Sequence, residues 1–157
     1  MRINRIVVNA SPVICLFKSE LLYLLPKLFS EIVVPDKVYQ EITAKSGIDL
    51  SSLQHLKKAS DIIVPQTVIA WDIGEGESSV LAFAQKNPDC WAVIDDREAR
   101  RCAAFLGCRY TGTIGIILLA KRRGIIKSVR ESITKLQSAG LWLSESFITK
   151  VCQQAGE

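Results

Sequence analysis

The segment WAVIDDREARRCAAFLG (residues 91–107) carries an apolar run onto two adjacent carboxylates, Asp95 and Asp96, and then places Arg97, Arg100 and Arg101 directly after them. Two kinds of chemistry fit. Asp96 can cap the helix that follows, its side chain accepting backbone N–H groups at the helix start. Alternatively, the pair forms half of a cation site facing a phosphate-bearing substrate, with arginines meeting phosphate oxygens or bracing the acids. Arg97 shares a helix face with Arg100 or with Arg101, so the three cannot all point one way.

Further polar groups recur where apolar runs end. RIVVNA (residues 5–10) ends on Asn9, with Ser11 just beyond. CRYTG is followed by Thr113. Glu41 lies in DKVYQEI, and Glu75 and Glu77 open GEGESSVLAFA, so either of these last two can lean over the same edge. Clustered carboxylates repel and lose solvation on burial, so a site of three or four calls for a compensating charge. A hard divalent cation such as Mg²⁺ or Mn²⁺ suits oxygen ligands of this kind.

Positioning such groups requires strands that end together. The chain alternates short apolar runs (residues 5–10, 31–35 and 91–95) with segments of helical period. That alternation predicts an α/β fold: three layers, α/β/α, around a mostly parallel sheet. In such sheets ligands bind outside the carboxyl ends of the strands, where strand order reverses. Pro26 predicts a kink or two helical pieces across SELLYLLPKLFS. The stretch from 48 to 66 is less periodic and suggests a short helix at 53–58 and a strand at DIIVP. Glycines 47, 107 and 124 sit where helices should close. No repeat or linker interrupts the pattern, and residues 1–157 read as a single domain.

Composition excludes several classes. At 157 residues, 48% hydrophobic and 23% charged, the chain can bury a full core without disulfides. Five cysteines form no C-x-x-C pair and only one histidine is present, which disfavours a zinc site and suits reduced thiols in the cytoplasm. Arg2 and Arg5 before IVVNASPVICLF faintly imitate a signal peptide, but Asn9, Ser11 and Pro12 break the apolar run. No run approaches the roughly 18 apolar residues of a membrane helix. A net charge of +4 permits nucleic-acid contact. Lys121, Arg122 and Arg123 read as a helix C-terminal charge cluster, and Trp71, Trp91 and Trp142 as core or dimer contacts. A receiver domain would place its acid pair after the first strand, and a dinucleotide fold needs G-x-G-x-x-G there; NASPVI offers neither.

The motifs VVNASPVICL, IVVPDKVYQEI, GEGESSVLAFA, VIDDREARRCAAFLG and TGTIGIILLAKRRG, in that order, resemble the PIN-domain family of metal-dependent ribonucleases, including the VapC-type toxins. The resemblance spans nearly the whole chain. It implies catalytic and metal-binding acids at Glu41, Glu77, Asp95 and Asp96, with Asp96 favoured within its pair and Glu77 favoured over Glu75. It also implies supporting hydroxyls at Ser11 and Thr113, and substrate-binding arginines among Arg97, Arg100 and Arg101. The cofactor would be Mg²⁺ or Mn²⁺, the substrate RNA, and the partners a cognate antitoxin protein and a second copy in a homodimer. One position departs: the family usually places an aspartate where this chain has Asn9, which keeps a carbonyl oxygen but removes a full charge. A unit charge at 4 Å and an effective dielectric near 20 is worth about 4 kcal/mol before desolvation. The resemblance therefore implies either a weakened endoribonuclease or a catalytically inactive binding module on the same fold.

Overall fold

The computed structural model describes residues 3–157, so Arg2 lies outside the described residues. The apolar runs form the strands Arg5–Val8 (β1), Glu31–Pro35 (β2), Lys57–Ala59 (β3), Cys90–Val93 (β4) and Tyr110–Thr111 (β5). Every pairing among them is parallel, in the order β3-β2-β1-β4-β5. The expected mostly parallel sheet is thus wholly parallel among the described residues. Its centre explains the composition of the strands: Ile6, Val7 and Val8 of β1 are fully buried, as a parallel strand covered on both faces requires.

Nine helices cover the sheet among the described residues: Ala10–Lys18 (α1), Leu24–Leu28 (α2), Asp36–Lys45 (α3), Gln66–Ile69 (α4), Glu75–Lys86 (α5), Arg97–Phe105 (α6), Thr113–Arg122 (α7), Val129–Ser138 (α8) and Glu145–Gln154 (α9). α5 packs against α3, α4 and α6, while α7 packs against α1, α2 and α8, giving the three-layer α/β/α arrangement. None of these helices is long and apolar enough to cross a membrane. Gly47, Gly107 and Gly124 close helices at φ of 65°, 73° and 73°, the left-handed conformation that glycine adopts without strain.

Two segments depart from expectation. The first helical break falls at Glu20 (φ 59°), ahead of Pro26. Pro26 instead occupies the first turn of α2, where a missing N–H costs nothing. Residues 53–58 do not form the expected helix, nor DIIVP a strand. A 3-10 turn spans Leu50–Leu53, and the strand is Lys57–Ala59, paired with Val33–Pro35. The outer edge of β2 offers hydrogen bonds there, and Asp61 at φ 57° turns the chain away before DIIVP can pair. Lys57 and Lys58 are exposed and blunt the resulting sheet edge.

Basic residues at the end of α7 hold the fold together. Arg123 donates to the Leu28 and Ile3 carbonyls, at 2.5 and 3.0 Å. Lys121 donates to the Lys127 carbonyl and pairs with Glu157 at 3.3 Å. The Glu157 carboxylate in turn accepts from the Val129 and Arg130 N–H groups and the Ser128 hydroxyl, capping α8. These bonds lower its pKa from 4.5 to about 2, the Val129 N–H contributing most. A depressed carboxylate pKa stabilises the fold above the unfolded-state value and loses that contribution as pH falls from about 4.5 to 2. Glu157→Gln is expected to lower Tm by a few degrees at pH 7, a cap being worth about 1 kcal/mol, and to change it little at pH 2. Thermal melts at both pH values check this.

Candidate functional site

Strand order reverses between β1 and β4, and the chemistry-bearing residues gather at the carboxyl ends of these two strands. Asn9 follows β1 directly. Its backbone N–H donates to the Val93 carbonyl at 3.0 Å, extending the β1–β4 ladder by one bond. Although Asn9 precedes α1, its side chain makes no capping bond. Nδ2 donates instead to Glu77 Oε1 at 3.1 Å, across 68 residues of sequence. Asn9 is 3% exposed, and its Oδ1 is buried without a hydrogen-bond partner. A buried acceptor left unpaired costs roughly 1–3 kcal/mol, so this oxygen points to a group that would complete it.

Gly76 shows where that group would lie. A Cβ built there would stand 3.2 Å from both Asn9 Oδ1 and Glu41 Oε2. The two oxygens therefore face one small space, kept open by the absence of a side chain. Glu41 reaches it from α3, with its other oxygen held by Lys45 at 3.1 Å. Glu77, in the first turn of α5, folds back so closely over Gly74 that a Cβ there would collide with its Oε2, while its Oε1 accepts from Asn9. Glu75 is exposed and pairs loosely with Lys37 at 3.8 Å, so Glu77 is the acid of the GEGE turn that meets Asn9. Ser11 and Cys15 of α1 line the groove that borders Glu41.

The acid pair divides its two tasks. Asp96 is the N-cap of α6, its Oδ2 accepting from the Ala99 N–H at 2.9 Å. Asp95, the member less favoured from sequence, is held by Thr113 through both oxygens: the backbone N–H at 2.8 Å and the hydroxyl at 2.5 Å. Thr113 is 1% exposed and opens α7, so the start of that helix fixes the Asp95 carboxylate. Burial, with the Asp95 charge second, pushes the Cys15 thiol pKa above its ordinary value. Among the described residues no three or more His, Cys, Asp or Glu side chains gather closely enough to hold a metal ion. The two oxygens that face Gly76 come from one asparagine and one carboxylate, Asn9 and Glu41.

The three arginines also separate. Arg100 donates from Nε to the Ile94 carbonyl at 2.9 Å, approaches Asp95 at 3.8 Å and lies over the Tyr110 ring. A Cβ on Gly112 would collide with both Arg100 and Asp95, so that glycine permits their approach. Arg101 pairs with Glu98 at 3.0 Å, and Arg97 is exposed at the start of α6. Of the tryptophans, Trp71 packs on Phe105 and Trp91 is half-buried, whereas Trp142 is 82% exposed and so is no core residue.

Sequence reasoning did not foresee the Asn9–Glu77 bond or the role of Gly76. The glycine set between two acids in GEGE was the available signal. A family model described as a PIN domain matches residues 5–157. No curated protein matches the chain.

Proposed function

Because the chain belongs to the PIN-domain family, whose fold is of the nuclease type, we propose that it is an endoribonuclease dependent on Mg²⁺ or Mn²⁺, with residues 1–157 acting as one domain. The observation that carries this reading is the buried, unpaired Asn9 Oδ1 facing the same space as Glu41 Oε2. An all-oxygen set with two carboxylates and a neutral amide suits a hard cation that retains several waters. Asn9, Glu41 and Glu77 would hold the ion. Such an ion would polarise a phosphoryl oxygen and help activate a water for attack.

The chain's own groups do the positioning. The Asn9 amide orients Glu77, and Thr113 orients Asp95. Arg100, braced by the Ile94 carbonyl, presents its guanidinium to phosphate oxygens. Ser11, on the groove wall with Glu41, supports the same edge. In this reading the substrate is RNA, and the setting is that of a cytoplasmic toxin working as a homodimer with a cognate antitoxin. The test is cleavage of a labelled single-stranded RNA with Mn²⁺ and with EDTA. Cleavage in Mn²⁺ alone supports the proposal. Its absence both in this chain and in Asn9→Asp rejects it.

A second reading is favoured by two features: Asp95 already has both oxygens engaged by Thr113, and Asn9 carries no charge. The chain would then bind RNA or an antitoxin without hydrolysing RNA. Cleavage by Asn9→Asp but not by the chain itself selects this reading.

A further inference from the structure

A groove of about 420 Å³ lies beside Asp95, walled by Arg100, Tyr110, Leu141, Leu143 and Phe147. Its lining joins two unlike demands. Phe147 is 42% exposed, an apolar ring left facing water at the first turn of α9. Opposite in character, the Arg100 side chain is 40% exposed and its guanidinium lies 5.9 Å from the Tyr110 ring centre. An occupant that satisfies both must present a flat face to aromatic rings and negative charge to a guanidinium. An unpaired nucleotide does so, stacking through its base and pairing through its phosphate. A base in a duplex could not enter.

Leu141 lines both this groove and the one that holds Ser11, Cys15 and Glu41. A strand leaving the first groove at Leu141 would therefore run toward the oxygen set at Gly76. Resting on the nuclease reading above, we propose that this groove seats one unpaired base of a single-stranded RNA, with Phe147 stacking on the base and Arg100 holding the adjacent phosphate. Trp142, exposed between the two lining leucines, stands on the rim of the same loop.

Phe147→Ala tests this without disturbing the helix start, because the capping bond uses the Phe147 backbone N–H, donated to Ser144 Oγ. Binding is read in EDTA by fluorescence anisotropy, with labelled oligouridylate and an abasic oligomer of equal length as probes. The expected result is about tenfold weaker oligouridylate binding by Phe147→Ala, restoration by Phe147→Trp, and abasic binding unchanged within about twofold. Equal oligouridylate affinity for the chain and Phe147→Ala overturns the proposal. So does a dimer in sedimentation that Phe147→Ala dissociates with RNA affinity unchanged, since a second copy would then fill the groove. If Mn²⁺-dependent cleavage persists through such a result, only the base seat is lost. If the chain does not bind oligouridylate and neither it nor Asn9→Asp cleaves RNA, the nuclease reading falls with it.

Discussion

Glu77→Gln is expected to reduce Mn²⁺-dependent RNA cleavage by two to three orders of magnitude while leaving the fold intact. Glu77 is the carboxylate that Asn9 holds in place, at a helix start where its charge is also favoured. Glutamine keeps the length and one carbonyl oxygen, so packing is preserved and only the charge is lost. Removing a unit charge about 4 Å from a cation forfeits about 4 kcal/mol at an effective dielectric near 20. Each 1.36 kcal/mol is tenfold in rate, which sets the upper end of the expected loss. Glu75→Gln is the control, because Glu75 faces Lys37 at the surface, and it should cleave like the parent. Single-turnover cleavage assays with matched circular dichroism spectra distinguish a lost site from a lost fold.

Asn9→Asp is expected to lower stability without metal and raise it with metal. In the present chain the Asn9 amide donates to Glu77 across 3.1 Å. An aspartate removes that donor and sets two carboxylates against each other in a buried place, where like charges disfavour one another. A loss of about 2 kcal/mol, or roughly 4–8 °C in Tm, is expected in EDTA. With Mn²⁺ the added charge has a partner, and ligand-linked stabilisation grows with affinity. The variant should therefore show a larger Mn²⁺-induced Tm rise than the parent, and faster cleavage. Differential scanning fluorimetry across a Mn²⁺ titration reads the first effect independently of activity. A smaller metal-induced shift in the variant would mean that Asn9 does not face the cation.

What could be read in the sequence follows the range of the interactions involved. β1, β2 and β4 are short, largely buried apolar runs, and that local pattern locates their ends and hence Asn9 and the Asp95–Asp96 pair. Assigning the pair was harder, because an N-cap and a metal-site acid both call for aspartate. Only the backbone direction after β4 sends Asp96 to the Ala99 N–H and Asp95 to Thr113. β3 escaped notice because an exposed edge strand of Lys57, Lys58 and Ala59 carries no hydrophobic signal; its pairing with β2 decides it. The break at Glu20 had no glycine or proline to mark it. The Gly76 space depends on what a missing Cβ leaves open between Asn9 and Glu41, a relation that no local pattern encodes.

The most direct measurement is an anomalous-diffraction map from a crystal of the chain soaked in Mn²⁺. A peak is expected within coordination distance, about 2.0–2.3 Å, of Asn9 Oδ1 and Glu41 Oε2, with Glu77 in its shell. Ordered density for all three side chains with no peak at that place, at a Mn²⁺ concentration that supports RNA cleavage, would contradict it.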